Sequence, residues 1–435
     1  MSRRILLPIL LALSLIIPSR GSAADVTPVE NLADPDLCKL SKYDNPATDF
    51  VGTSFLGFPT PEGRIKPSGT INGVIIGVDF ADLPSKSKSP KKDYSYITPP
   101  MTKWFETLSR GEMKINWRFN SNYVRMPKKL VDYGIGGRGA GSGPNFGPYY
   151  FADQVIQSAQ TSFDFTGTDF VIIAPPLNTS MDQISTGPAL PAPVGGGYKY
   201  PGGEVLNATM ISASIISSKP YSPWFGSLPL AHEIGHLMGL TDLYSVGNSN
   251  PGGKYEDQFK YMGIFSFMNY AGPNGNAIVP TAWEQWQVGW LKNPEIRCVR
   301  GLVNSTHEIT YLESKSIAPK AIVIPVSRTK AIVVESRRKI GYDSDMPASA
   351  AGALVYTVNT LTSTGTGAMQ IVRKRSSKAL LFQDAPLKSN ESVEILGYRI
   401  TNLKSGTKTD LIQVKRIDGK QVEVPLPSKT PISNS

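Results

Sequence analysis

Two histidines four residues apart, with a glutamate directly after the first, form the part of this sequence best suited to chemistry. His232, Glu233 and His236 lie in the stretch HEIGHLMGLTD of a 435-residue chain that has three histidines in all. On an α-helix, residues i and i+4 lie on one face a turn apart, so both imidazoles can bind one zinc ion at about 2.0–2.1 Å. Glu233 lies close to such an ion without binding it and can accept a proton from a metal-bound water. The motif therefore predicts a zinc site with its own general base.

A third ligand is expected from the residues that follow the helix. Gly239 can adopt the left-handed conformation that ends a helix, so the chain can turn back and bring Asp242 to the ion. Two imidazoles and one carboxylate leave the fourth tetrahedral position for a water or a substrate carbonyl, which is the arrangement of a catalytic site. Glu256, further along the chain, is the alternative third ligand.

The elements that must position these side chains can be predicted from the apolar pattern. Leu230, Ile234 and Leu237 recur at helical intervals around the motif, which indicates a buried helix. Earlier in the chain the predicted strands are 74–78, 113–119, 170–173 and 210–216, and the predicted helices are 102–109 and 151–162. Beyond Trp290, β-branched runs separated by polar turns indicate a β-rich region, at 321–326, 331–335, 354–358 and 411–414.

The N-terminus has the order of a secretory signal peptide. Arg3 and Arg4 precede an apolar stretch over 5–17, and small residues follow over 21–24. A twin-arginine export signal is the alternative, although the rest of that motif is missing. The apolar stretch is too short for a membrane-spanning helix, so no transmembrane anchor is expected. The protein is therefore expected to be secreted and extracellular.

Composition and charge narrow the class of protein further. Hydrophobic residues make up 40% and charged residues 18% of the chain, which excludes global disorder. The net charge of +10 favours loose association with an anionic cell surface. The sequence contains no helix-turn-helix, zinc-finger or aromatic-interleaved basic pattern, so nucleic acid is not an expected partner.

Cys38 and Cys298 are the only two cysteines. An exported protein can keep a disulfide, and two cysteines allow a single pairing. Two unpaired thiols are one alternative. In another, the Cys38 thiolate binds the metal and keeps the protein latent.

A second motif further along the chain makes a family resemblance specific. HExxHxxGxxD, followed by SFMNY at 266–270, resembles the metzincin zinc endopeptidases. Within that group the chain resembles the immune inhibitor A type of secreted bacterial metalloprotease. The resemblance covers about residues 70–360 and is carried by VDFAD at 78–82, LSRG at 108–111, GLTDLY at 239–244, AWEQWQVGWL at 282–291, ESR at 335–337, GYD at 341–343 and GALVY at 352–356.

The resemblance implies a fold and two further site residues. It implies an α+β protein with a metzincin-like catalytic domain, in which a twisted mixed sheet packs with the active-site helix, and a C-terminal β-rich, sandwich-like domain. Met268 would lie in the Met-turn under the metal, with Met262 as the alternative. Tyr270 would assist the transition state; otherwise it is an ordinary buried tyrosine.

The predicted organisation has five parts: a signal peptide over 1–24, an N-terminal arm or short pro-segment over 25–69, a zinc metalloprotease domain over 70–295, a β-rich domain over 296–425 and a disordered tail over 426–435. Three features depart from the family. Thr241 stands where proline is common, the long propeptide is missing or shortened, and the third ligand is a carboxylate rather than the histidine of most metzincins.

These observations predict a secreted zinc endopeptidase that acts on proteins or peptides. The alternative is an exported binding or adhesion protein whose zinc site is structural, although a structural site needs no general base.

Asp343 and Asp345 form a candidate calcium site without EF-hand spacing. His307 has no partner motif and is expected to be structural or exposed.

Overall fold

A computed structural model describes residues 32–41, 56–60, 64–136, 147–180, 183–184, 189–191, 197–211, 228–246, 255–269, 277–301 and 304–419. The predicted signal peptide, much of the N-terminal arm and the predicted C-terminal tail lie outside these residues. Over the described ranges, no helix is long and apolar enough to cross a membrane.

The helices are short and begin where the sequence supplies a proline or a capping side chain. Ser89 caps the first helix by accepting a hydrogen bond from the backbone N–H of Lys92, and prolines occupy the first turn of the next two. Thr281 and Glu284 form a capping box at the start of the last helix, Ala282–Gln287. The five helices of the described part are α1 (Pro90–Tyr94), α2 (Thr98–Leu108), α3 (Pro148–Ala159), α4 (Leu228–Leu237) and α5 (Ala282–Gln287).

The strands of the described part belong to several sheets, which makes the fold a mixture of α and β. In chain order they are β1 (Gly69–Asp79), β2 (Met113–Phe119), β3 (Val124–Arg125), β4 (Phe170–Ala174), β5 (Ala189–Pro191), β6 (Tyr198–Tyr200), β7 (Gly203–Val205), β8 (Asn207–Met210), β9 (Ile296–Cys298), β10 (Asn304–Thr310), β11 (Ala321–Pro325), β12 (Lys330–Arg337), β13 (Gly352–Asn359), β14 (Met369–Ile371), β15 (Glu391–Ile395), β16 (Tyr398–Ser405) and β17 (Thr409–Arg416).

The first sheet has the order β2-β1-β4-β8-β5, with β3 beside the end of β1. Its pairs are parallel except for β5, which runs antiparallel to β8. β4 is buried along its whole length, as expected for a strand covered on both faces. Of the strand predicted over 210–216, Met210 is the last residue of β8 and Ile211 is not in a strand, whereas residues 212–216 lie outside the described part.

Two further sheets form the C-terminal region. One has the order β14-β13-β12-β11-β9 and the other β10-β17-β16-β15. In the sheet that contains β12 and β13, alternate residues pack into different hydrophobic cores. Val333 and Tyr356 belong to the core that also contains Leu230 of α4, whereas Val334 and Val355 pack in the core shared with the second sheet. The β14-β13-β12-β11-β9 sheet is therefore buried on both faces. It lies between the other C-terminal sheet and the region that carries the histidines.

The described part of the N-terminal arm packs against the helices. Cys38 and Cys298 form a disulfide with an S–S distance of 2.07 Å, so neither sulfur is a thiolate that could bind a metal. The indole N–H groups of Trp283 and Trp290 donate to backbone carbonyls of the arm at 2.8 Å. The backbone N–H of Ile65 donates to the carbonyl of Leu237 at the end of α4, also at 2.8 Å. The arm thereby holds the C-terminal end of α4.

Candidate metal centre

Helix α4 carries the first two candidate ligands and ends where the sequence predicts. Gly239 has a φ of +99°, which glycine adopts without steric cost. The backbone N–H of Leu240 donates to the carbonyl of Gly235, and that of Gly239 donates to the carbonyl of His236, both at 2.9 Å. This pair of bonds is a Schellman motif. It reverses the chain and brings residue 242 back to the face that carries the histidines.

His232, His236 and Asp242, hereafter the metal triad, converge on one point. The Nε2 atoms of the two imidazoles lie 3.1 Å apart. Oδ1 of Asp242 lies 3.2 Å from Nε2 of His232 and 3.1 Å from Nε2 of His236. The side chains of the triad are between 10% and 17% exposed, so bulk water screens them little. Within the described part of the chain, this is the one group of three or more metal-ligating side chains whose ligand atoms converge.

The other nitrogen of each imidazole fixes the tautomer. Nδ1 of His232 lies 2.9 Å from the carbonyl oxygen of Phe267, and Nδ1 of His236 lies 2.8 Å from that of Leu240. A carbonyl oxygen can only accept a hydrogen bond, so Nδ1 carries the proton in both rings. In the neutral rings, Nε2 then presents its lone pair to the shared point. Histidine ligands of metals are oriented in this way.

The donor set fits a divalent cation. With both imidazoles neutral, the three atoms that face each other are all acceptors, and acceptors at 3.1–3.2 Å need a proton or a cation between them. A zinc ion bound tetrahedrally at about 2.0–2.1 Å separates its ligand atoms by about 3.3–3.4 Å. The triad is within a few tenths of an ångström of that geometry and would hold such an ion without rearrangement of the backbone.

The electrostatics of the triad favour positive charge at its centre. Burial raises the pKa of Asp242, but the two imidazoles outweigh burial and hold that pKa far below its usual range. Burial lowers the pKa of His236, but the charge of Asp242 outweighs burial and raises the pKa to about 9. Asp242 is therefore a carboxylate at neutral pH, which is the protonation state that metal binding requires.

Glu233 lies beside the triad without joining it. Its Oε2 accepts a hydrogen bond from the backbone N–H of Ala189, the first residue of β5, at 2.7 Å. Burial raises the pKa of Glu233 above its usual value, although the two histidines act in the opposite direction. This upward shift moves the pKa of the carboxyl in the direction that general acid–base catalysis requires.

Met268 lies directly against α4 at Gly235. A Cβ atom added to Gly235 would lie 2.5 Å from Sδ of Met268 and 3.0 Å from the ring of Phe267, so the close approach requires glycine. The backbone N–H of Leu243 donates to the carbonyl of Met268 at 2.9 Å. The turn that contains Met268 thus fixes both the helix and the segment that follows Asp242. Met262, the alternative, is also buried.

Sequence reasoning missed the residues that hold this turn. Ser266 has a φ of +76°, and its hydroxyl lies 2.8–2.9 Å from both carboxylate oxygens of Glu284 and 3.1 Å from the backbone nitrogen of Met268. The pattern of threonine and glutamate three residues apart at Thr281 and Glu284 is a recognisable capping signal. The partner of Glu284 at Ser266 has no local signal.

Other candidate residues lie elsewhere or outside the described part. Tyr270 and the side chain of Glu256 are outside it, so the role given to Tyr270 stays a prediction. His307 is buried, with Nε2 at 2.8 Å from Oγ of Ser305, and burial lowers its pKa to about 4. Asp343, the first residue of the candidate calcium site, is bonded to Arg337 and to the backbone N–H of Val279.

Comparisons with known proteins leave the family open. No protein-family model and no curated protein matches the chain. Among five solved chains that match is metalloproteinase-II from Bacteroides fragilis, with 18% identity, a TM-score of 0.26 and coverage of 52% of this chain and 54% of that one. The chain thus spans about half the length of that structure, and a match at this TM-score carries no argument about fold or activity. The resemblance to immune inhibitor A-type proteases stays a prediction.

Proposed function

We propose that this protein is a secreted zinc-dependent endopeptidase that hydrolyses peptide bonds in proteins or peptides. The observation that carries the proposal is the convergence of Nε2 of His232, Nε2 of His236 and Oδ1 of Asp242 within 3.1–3.2 Å of one another, beside a carboxyl that binds none of them. Three protein ligands are typical of catalytic zinc sites, whereas structural sites usually have four.

The chain's own residues have separate parts in the reaction. A zinc ion held by the triad would supply Lewis acidity and lower the pKa of a water molecule. Glu233 takes the proton of the attacking water at its carboxylate and delivers it to the leaving amine. Among the described strands, β5 is at the edge of its sheet and lies next to Glu233, so an extended peptide can lie along this edge. In this proposal Tyr270 stabilises the developing oxyanion.

Hydrolysis of casein, with and without a chelator, tests the proposal. We expect the chelator to abolish hydrolysis by the wild-type protein and added zinc to restore it. Glu233→Gln should keep about one zinc per chain and lower the rate by about 10²–10⁴-fold. Glu308→Gln, at an exposed position on β10, is the matched control and should be as active as wild type.

Two outcomes would contradict the proposal. Full activity in zinc-loaded Glu233→Gln would remove Glu233 as the general base. One bound zinc per chain without turnover of any unfolded protein would instead support an exported binding protein with a structural zinc site.

A further inference from the structure

A loop of the C-terminal region reaches the third ligand of the triad. Residues 360–368 connect β13 to β14, and Thr364 lies near the middle of this connection. The backbone N–H of Asp242 donates to Oγ1 of Thr364 at 2.9 Å. The Thr364 hydroxyl in turn donates to Oδ2 of Asp242 at 3.3 Å. One threonine side chain thus contacts both the backbone and the carboxylate of Asp242.

The backbone of the loop is held against the same segment. The backbone N–H of Gly365 donates to the carbonyl of Asp242, and that of Val246 donates to the carbonyl of Gly365, both at 3.0 Å. Gly365 has a φ of +63°, and a Cβ atom added there would lie 2.1 Å from the side chain of Val246. The approach is therefore too close for any residue except glycine, and it keeps Thr364 in place.

The two oxygens of Asp242 have different partners. Oδ1 faces the imidazoles of the triad, whereas Oδ2 accepts the hydroxyl of Thr364. A hydroxyl has one proton to donate and lone pairs to accept, so both bonds can form at once. Together they fix the rotation of the carboxylate about its side-chain bonds. Groups that orient metal ligands in this way typically change metal affinity by about 10–100-fold when they are removed.

We propose that Thr364 is a positioning residue for Asp242, so that the β-rich region sets the metal affinity of a site whose three ligands all precede it in the chain. The inference rests on the proposed function only in requiring that the triad binds zinc. It does not depend on whether the bound metal hydrolyses peptides.

Zinc affinity, measured by competition with a chromogenic chelator, tests the inference without an activity assay. Thr364→Val keeps the shape of the side chain and removes both hydrogen bonds, so we expect zinc to bind about 10–100-fold more weakly. Thr364→Ser keeps the hydroxyl and should bind zinc within about 3-fold of wild type. Thr366→Val is the matched control, because the Thr366 hydroxyl bonds within the loop, to the carbonyl of Ser363 at 2.7 Å.

A double-mutant cycle separates positioning from a general loss of stability. In an Asp242→Ala background Thr364→Val has no carboxylate left to orient, so we expect it to add less than about 2-fold to the loss of affinity. Melting in the presence of a chelator shows whether the metal-free variants fold. Equal zinc affinity of Thr364→Val and Thr366→Val, or additive losses in the cycle, would overturn the inference and leave the peptidase proposal standing. If wild-type protein binds zinc but hydrolyses no protein, the peptidase proposal is overturned and the inference about Thr364 stands.

Discussion

Two buried clusters of charged groups differ in where their positive charge comes from. In the first, Glu335, Arg337 and Asp343, hereafter the Arg337 cluster, the guanidinium donates to Glu335 at 2.7 Å and to Asp343 at 2.9 Å. These side chains are at most 4% exposed. In the metal triad, the atoms that face each other are two imidazole nitrogens and one carboxylate oxygen.

The difference separates a cluster whose charges are compensated within the chain from one whose compensation depends on the solution. A buried carboxylate is costly unless a cation or several hydrogen-bond donors compensate it. The Arg337 cluster carries its cation within the chain, so its positive charge is present as soon as the protein folds. The triad takes its positive charge from a proton or from an ion in solution, so its state depends on what the surroundings supply. Such dependence suits a site that must exchange ligands.

A continuous series of contacts connects the two clusters. Oε2 of Glu335 accepts hydrogen bonds from the first backbone N–H of α5, at Ala282, and from the hydroxyl of Tyr356, at 2.6 and 2.9 Å. Glu284, two residues further along α5, accepts hydrogen bonds from Ser266 at the start of the turn that contains Met268. The carbonyl of Phe267 in that turn then orients His232. The Arg337 cluster therefore supports the position of His232, a candidate metal ligand.

The largest expected effect is loss of the internal cation. Arg337→Met leaves two buried carboxylates uncompensated and should lower the free energy of unfolding by about 3–5 kcal/mol. Urea denaturation in the presence of a chelator measures this without a contribution from bound metal. Arg399→Met, which removes a half-exposed pair with Glu394, is the control and should cost at most about 1 kcal/mol. A cost below about 1 kcal/mol for Arg337→Met would show that the two clusters do not differ as described.

Zinc should raise the free energy of unfolding through the metal triad and not through the Arg337 cluster, which already contains its cation. Free zinc at about 1,000 times its dissociation constant should raise the free energy of unfolding by about 4 kcal/mol. His236→Ala should lose this increment. His307→Ala removes a buried histidine on β10 that contacts Ser305 of the same strand, and this variant should keep the zinc-dependent increase. Denaturation curves with and without zinc measure the increments, and an unchanged increment in His236→Ala would contradict the ligand assignment.

Glu284, which lies between the clusters, should make stability depend on pH. Burial raises its pKa from 4.5 to about 7, although hydrogen bonds from Thr281 and Ser266 oppose burial. Between these pH values the folded protein keeps a proton that the unfolded chain has lost, so this group makes the fold less stable as pH rises through that window. Glu284→Gln has no such titration. Its stability relative to wild type should therefore increase by about 3 kcal/mol between about pH 4 and pH 8.

Chelator-treated protein is the sample for that comparison, because zinc binding would add its own pH dependence. Other groups titrate alike in both proteins and cancel in the difference. A difference for Glu284→Gln that is constant or falls with pH would contradict the assignment.

The smallest expected effect concerns the strained serine in the connecting turn. Ser266→Ala removes the hydroxyl that bonds to Glu284 and keeps an unfavourable φ of +76°, so it should cost about 1–3 kcal/mol. Ser266→Gly also removes the hydroxyl but adopts this φ without strain, so it should cost about 1 kcal/mol less. Thermal melting distinguishes the two variants. Equal costs would show that the backbone strain at Ser266 does not contribute.

The parts of the fold that the sequence predicts are those set by local pattern. The strand predicted over 113–119 coincides with β2, because its apolar residues alternate with polar ones. Helix α4 ends at the predicted glycine because the Schellman motif depends only on nearby residues. The β-branched runs beyond residue 320 also fall on strands β11, β12, β13 and β17.

Contacts over long sequence separation could not be predicted in the same way. The carbonyl that orients His232 comes from 35 residues away, and the hydroxyl that orients Asp242 comes from 122 residues away. Phe267 lies in the SFMNY motif, which is linked to the histidines only through the family resemblance, and Thr364 belongs to no pattern that links it to Asp242. The N-terminal arm predicted over 25–69 has no apolar periodicity in its sequence. Its described part is attached by a disulfide and by two tryptophan side chains that donate to its carbonyls. Such positions are set by tertiary packing rather than by local propensity.

The central claim is that the metal triad binds a catalytic zinc ion while Glu233 remains unbound. Anomalous X-ray diffraction from zinc-loaded crystals, recorded on both sides of the zinc absorption edge, tests this most directly. We expect one strong anomalous peak at about 2.0–2.1 Å from Nε2 of His232, Nε2 of His236 and Oδ1 of Asp242. The absence of a peak there, or a peak that has Glu233 as a ligand in place of Asp242, would contradict the claim.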